Sequence, residues 1–110
     1  MKITNHTRST SISKEAKVAT SFIDRGLGLL LRSNPRSLIF KTRFGLHTFG
    51  LSGPIDILLL DQDNRVIKKA ESFAANRLFL YRPVYSLVIE LPPGTIRASQ
   101  TGLNDKIIFE

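Results

Sequence analysis

The run Pro54-Ile55-Asp56-Ile57-Leu58-Leu59-Leu60 constrains the fold more than any other part of this 110-residue chain. Five of its last six residues are apolar. Successive strand side chains point to opposite faces, so a strand here has no polar face to turn to water. It must lie centrally in a sheet with cover above and below. Pro54 suits the first position of such a strand, where no ladder donor is required. Asp61-Gln62-Asp63-Asn64 and then Arg65-Val66-Ile67-Lys68-Lys69 follow directly. Two β-rich runs around four turn-forming residues predict a hairpin, with Asn64 in a left-handed turn position.

The flanking sequence supplies shorter elements. Residues 2–7 alternate loosely and predict a short edge strand, open to pairing, before a polar turn at Ser9-Thr10-Ser11. From Ser13 onward Ala16, Ala19, Phe22 and Ile23 recur at the spacing of one helical face. Ser13 as N-cap and Gly26 as C′ residue bound a helix of about three turns. Residues 37–41, 46–51, 85–91 and 106–109 read as further strands, with Ile57 and Ile89 expected in the core. No alternation of strand and helix runs through the chain, which argues against a parallel sheet. The predicted fold is mainly β (α+β): a compact antiparallel β barrel or sandwich of about six to seven strands. One short N-terminal helix packs on it. The length predicts a single domain over residues 1–110.

Composition closes off several function classes. Hydrophobic residues at 42% and charged ones at 23% are ordinary for a globular chain. No run approaches the roughly 18 apolar residues of a membrane span, and the first residues have no apolar signal region. Cysteine is absent, which predicts a reduced, cytoplasmic setting and removes thiolate chemistry. Two histidines, His6 and His47, are too few for a histidine-based metal site. The Asp61–Asn64 segment opens like a calcium loop but lacks the glycine and glutamate such a loop needs. No metal and no cofactor are expected.

The charge is distributed unevenly. Net charge is +7, and residues 1–55 carry nine basic side chains against only Glu15 and Asp24, while residues 56–110 balance. Such an excess, gathered on one surface, steers anions toward it; its plain alternative is solubility. Arg25 and Arg32 flank Gly26-Leu27-Gly28, a candidate anion-binding turn without the dinucleotide or P-loop fingerprint. Phe22, Phe40, Phe44 and Phe49 read as core, so a stacking platform for nucleic acid is disfavoured.

The most pointed pair is His47 and Asp56. If residues 46–51 and 54–60 are antiparallel neighbours, the two side chains face one another, as a base and its orienting carboxylate do. Neither Thr48 nor Ser52 nearby has the context of an activated nucleophile. The alternative is that Asp56 accepts hydrogen bonds from the backbone or an arginine and is structural.

The order of these segments resembles the domain-of-unknown-function 192 family, along its His-Thr-Phe-Gly branch. The resemblance runs through Ala16, Ala19, Arg25, Gly26-Leu27 and Arg32, then Leu38-Ile39-Phe40 and His47-Thr48-Phe49-Gly50-Leu51. It continues with Pro54-Ile55-Asp56 through Asp61, Arg65-Val66, Val88-Ile89-Glu90-Leu91-Pro92-Pro93-Gly94, and Thr101-Gly102 with Asp105. The family's Trp-Met-Lys-Asn-Thr stretch is replaced by residues 48–52 here, and its glycine before the last aspartate by Asn104. The resemblance implies a compact, mainly antiparallel β barrel or sandwich with a small helical element, and no assigned activity.

Together these readings point to a small binding or accessory module without enzymatic activity. Arg25, Arg32, His47 and Asp56 would hold an anionic small molecule or an acidic protein surface. The chain would be a monomer or a weak dimer. The alternative is a hydrolase-like enzyme with His47 as base, Asp56 as its orienter and an arginine clamp, and the third is a weak nucleic-acid binder.

Overall fold

A computed structural model describes residues 1–18, 37–40, 46–47, 53–74, 78–79 and 87–110, with residues 40, 46, 47, 78 and 79 described by backbone alone. Ten strands and one short helix occur among them: β1 (Ile3–Asn5), β2 (Thr10–Ser13), β3 (Ala16–Val18), β4 (Ser37–Phe40) and β5 (Leu46–His47). β6 (Ile55–Leu60), β7 (Val66–Phe73), β8 (Leu78–Phe79), β9 (Leu87–Leu91), α1 (Thr95–Ala98) and β10 (Ile107–Phe109) follow. The strands form a three-stranded sheet β10-β1-β2, a five-stranded sheet β3-β4-β9-β6-β7 and the pair β5-β8. The architecture is the expected mainly β one, sandwich-like and not a closed barrel.

The central placement of residues 55–60 holds. β6 lies between β9 and β7, and all six of its residues are buried. Alternate side chains serve two cores. Leu58 and Leu60 join Ile39, Ile89 and Leu91 of the same sheet, Ile3, Ile12 and Ile107 of the three-stranded sheet, and Ile96 of α1. Ile55, Ile57 and Leu59 join Leu38 and Val88 on the opposite face. Period-2 geometry turns one apolar run into the seam of both layers. The β6–β7 hairpin also forms as predicted. Asn64 takes φ 59, and Asp61 Oδ1 accepts from the N–H groups of Asp63 at 2.9 Å and Arg65 at 3.0 Å, a side-chain-templated turn. Asn104 likewise takes φ 71, the left-handed conformation that asparagine tolerates well.

Three expectations are corrected. Ser13 ends β2 and residues 16–18 form β3, so the helix does not start there; its remaining stretch, residues 19–26, lies outside the described residues. Of the residues at helical spacing only Ala16 falls in β3, where it suits a strand as well as a helix, and pairing with β4 decides between them. That pairing is parallel, so the five-stranded sheet is mixed. β1 is the middle strand of its sheet and offers no free edge, because β10, nearly the whole chain away, covers it. The helix among the described residues, α1, follows Pro92-Pro93-Gly94, with Gly94 at φ 90 as its N-cap residue. No helix among the described residues is long and apolar enough to cross a membrane.

Candidate functional site

The premise that put His47 opposite Asp56 does not hold. β5 pairs with β8, His47 opposite Leu78, while both edges of β6 are taken by β7 and β9. Asp56 is 0% exposed. Its Oδ1 accepts from the N–H of Ser72 and its Oδ2 from the N–H of Ile96, each at 2.8 Å. Both donors lack a backbone partner for a local reason. Between its pairs with Ile55 and Ile57, β7 carries one extra residue, a bulge that includes Ser72 at φ 50. Ile96 lies in the first turn of α1, where no intrahelical acceptor exists and Gly94 has no capping side chain. Asp56 is therefore a cap supplied from a distant strand, the structural alternative read from the sequence. Arg25 and Arg32 lie outside the described residues, as does the His47 side chain.

A second polar cluster joins the N-terminal turn to the segment after α1. Asp105 Oδ2 accepts from Asn5 Nδ2 at 2.9 Å, Gly102 N at 2.8 Å and Arg8 Nε at 3.3 Å. Asn5 Nδ2 also donates to Thr101 Oγ1 at 3.1 Å, and the Thr101 and Ser99 hydroxyls are 2.7 Å apart. Burial alone pushes the Asp105 carboxyl up. The bonds from Asn5, Gly102 and Arg8, with the guanidinium charge, outweigh it and hold the group below the usual aspartate value.

That cluster floors one wall of an open cleft of about 530 Å³, lined by Arg8, Lys69, Glu71, Ile96, Arg97, Gln100, Thr101 and Gly102. Three cations face one acid, a formal balance of +2. Arg8 commits only Nε to Asp105 and is half exposed. Lys69 Nζ reaches Thr101 O at 3.4 Å and lies 4.0 Å from Glu71. No hydrogen bond or ion pair holds the Arg97 guanidinium among the described residues, in which no group of three metal-ligating side chains occurs either. The arrangement can hold an oxyanion: guanidinium forks pair with planar or tetrahedral oxyanions more strongly than neutral donors do.

α1 shapes this cleft through its exit. The N–H of Thr101 donates to Ile96 O and that of Gln100 to Arg97 O, both at 3.1 Å, the paired bonds of a Schellman termination. Its left-handed residue is Gln100 at φ 57. Glycine is the ordinary occupant there, because a side chain costs energy in that conformation.

The opposite face of the large sheet holds a different carboxylate. Glu90 on β9 has Leu38 and Ile57 as its register partners and is 5% exposed. Burial raises its pKa from 4.5 to about 7, with no compensating bond among the described residues.

No protein-family model matches the chain. It is 28% identical over 111 residues to a UPF0127 protein of Pyrococcus abyssi, covering 96% of this chain and 94% of that one. A UPF0127 protein of Pyrococcus horikoshii is 29% identical over 111 residues, covering 96% of each. The homologues are thus UPF0127 proteins, an uncharacterised family. The fold recurs in a crystal structure of a protein of unknown function from Novosphingobium aromaticivorans, with a TM-score of 0.80 and 16% identity over 98% of this chain and 82% of that one. A chain from Sinorhizobium meliloti superposes with a TM-score of 0.78 at 15% identity, over 97% of this chain and 89% of that one.

Arg8, Lys69, Arg97 and Gln100 escape sequence reasoning because they are 28 or more residues apart in all but one pair, in no motif. A local signal did exist for the last two. Pro92-Pro93-Gly94 followed by Thr95-Ile96-Arg97-Ala98 starts a short helix, and its end falls at Gln100.

Proposed function

We propose that this chain is a single-domain, non-enzymatic binding module of the cytoplasm that holds an anion, free or on an acidic partner, in the cleft of Arg8, Lys69 and Arg97. The observation that carries the reading is the cleft's charge: three cations against Glu71, with Arg97 uncommitted among the described residues. Arg25, Arg32 and His47, the candidates read from the sequence, are part of the same proposal as groups that would hold the anion. Asp56 serves it indirectly, by fixing α1, and therefore Arg97, against β6. The order of the matched segments supports placing the chain in the domain-of-unknown-function 192 family.

The test is a thermal-shift series with inorganic phosphate, dicarboxylates and acidic peptides on the native chain, Arg97→Ala and His47→Ala. Binding to the native state raises the melting temperature by mass action. An anion that stabilises the native chain but not Arg97→Ala, and loses its effect with added salt, supports the reading. Equal shifts in both, or none, remove it.

A further inference from the structure

We infer, resting on the anion-binding reading, that the cleft is a site for an aliphatic phosphomonoester, a polyol or sugar phosphate, gripped by Arg8 and Arg97 and selected by Gln100. Charge and shape lead to the phosphate. The described lining carries +2, and +1 once the Asp105 carboxylate paired with Arg8 is counted, so the cleft favours an anion. Two guanidinium groups offer several N–H donors to the oxygens of one tetrahedral head. The volume, about 530 Å³, lies within the ordinary range for small-molecule sites.

The lining also limits the rest of the ligand. Among the described residues it contains no aromatic side chain, and the large apolar residue described there, Ile96, is buried in the core. A nucleobase finds nothing to stack on among the described residues, whereas hydroxyl groups find an amide. Gln100 provides it, carrying a donor and an acceptor on one side chain. It does so from the left-handed position that the helix exit reserves for glycine. Strain kept at a cleft is an observation that calls for a functional reason, and hydrogen bonding to a polyol is one. Asp105 completes the device by holding Arg8 beside Gly102, where Arg8 Nη2 lies 3.8 Å from the point a Gly102 Cβ would occupy.

Calorimetric titration of the full chain with glycerol 3-phosphate, succinate and hexaglutamate, at low salt, tests this. Glycerol 3-phosphate should bind saturably, and Arg97→Ala should weaken it by about tenfold or more. Arg97→Lys keeps the charge but loses the fork, and should recover only part of the affinity. Gln100→Gly should weaken binding while raising the melting temperature by roughly 2–5 °C, because the strain is relieved. Circular dichroism establishes that each variant is folded. Glycerol 3-phosphate binding that is absent, or unchanged in both Arg97→Ala and Gln100→Gly, overturns the inference. If succinate or hexaglutamate binds through Arg97 while glycerol 3-phosphate does not, the phosphate assignment fails and the anion-binding module stands. If none of the three binds, both fail.

Discussion

Asp105 and Glu90 are buried to nearly the same degree, 3% and 5% exposed, and their carboxyl groups behave oppositely. Asp105 gathers three donors, from Asn5, Gly102 and Arg8, and is held in its charged form. Glu90 lies between Leu38 and Ile57 and is pushed toward its neutral form, with a pKa of about 7. Burial raises both carboxyl groups, but Glu90 lies deep in its core without a donor while Asp105 lies near the molecular surface with three, and the two differences together set the opposite signs. The two also occupy opposite layers. Asp105 ties the N-terminal turn to the segment after α1 beside the cleft, whereas Glu90 interrupts the apolar row of the second core.

The largest effect that should sharpen this contrast is the removal of Asp105. Asp105→Ala strands the Asn5 amide, the Gly102 N–H and the Arg8 Nε, and should cost roughly 3–5 kcal/mol in denaturant unfolding at pH 7. A loss below about 1 kcal/mol would mean that water replaces those bonds freely. Because its folded pKa is lowered, Asp105's contribution is full above the unfolded value and is lost as the pH falls through the folded one.

Glu90 should act in the reverse sense. Its pKa is higher in the folded state, so below about 4.5 both states hold the proton and folding is unaffected. Between 4.5 and about 7 the unfolded chain ionises while the folded one does not, and stability falls as the pH rises. The loss should be on the order of 3 kcal/mol by pH 8, and Glu90→Gln should remove that slope. An identical slope in the variant would break the comparison.

Asp56 offers a smaller effect. Asp56→Asn places an amide N–H against one of two backbone N–H donors, Ser72 or Ile96, and should cost about 1–3 kcal/mol. Hydrogen exchange should report the loss locally, at the β7 bulge or the start of α1. A uniform change across the chain would deny Asp56 its role as a cap. The smallest effect should come from Thr10→Val, which deletes the 2.6 Å bond from Thr10 Oγ1 to Ser99 O. A loss of about 0.5–1.5 kcal/mol in unfolding experiments is expected, and no loss would show that β2 does not brace the α1 exit.

Much of the fold was legible because its signals are local. The continuous apolar run at 55–60 demanded a strand covered on both sides, and Asp61 through Asn64 demanded a tight turn. The alternating residues before Pro92 demanded another strand, and β9 lies beside β6. The N-terminal part was misread for the same reason in reverse: Ala16 suits a helix or a strand, and only the parallel partner β4 decides. Likewise β1 is an interior strand only because β10 returns to cover it.

The candidate site shows the division most clearly. Summing charge by halves pointed to residues 1–55, yet two of the three cleft cations, Lys69 and Arg97, come from the half that balances. Sequence by itself determined the hydrophobic seam, the turn chemistry, the positive net charge and the absence of thiol chemistry, because each depends on residue type and short spacing. Tertiary structure alone decided that Asp56 caps a bulge and a helix, that Asp105 is held toward its charged form while Glu90 is pushed toward its neutral one, and that Arg8, Lys69 and Arg97 line one cleft. Those outcomes depend on the donors and charges that distant segments bring within a few ångströms, and spacing along the chain does not encode them.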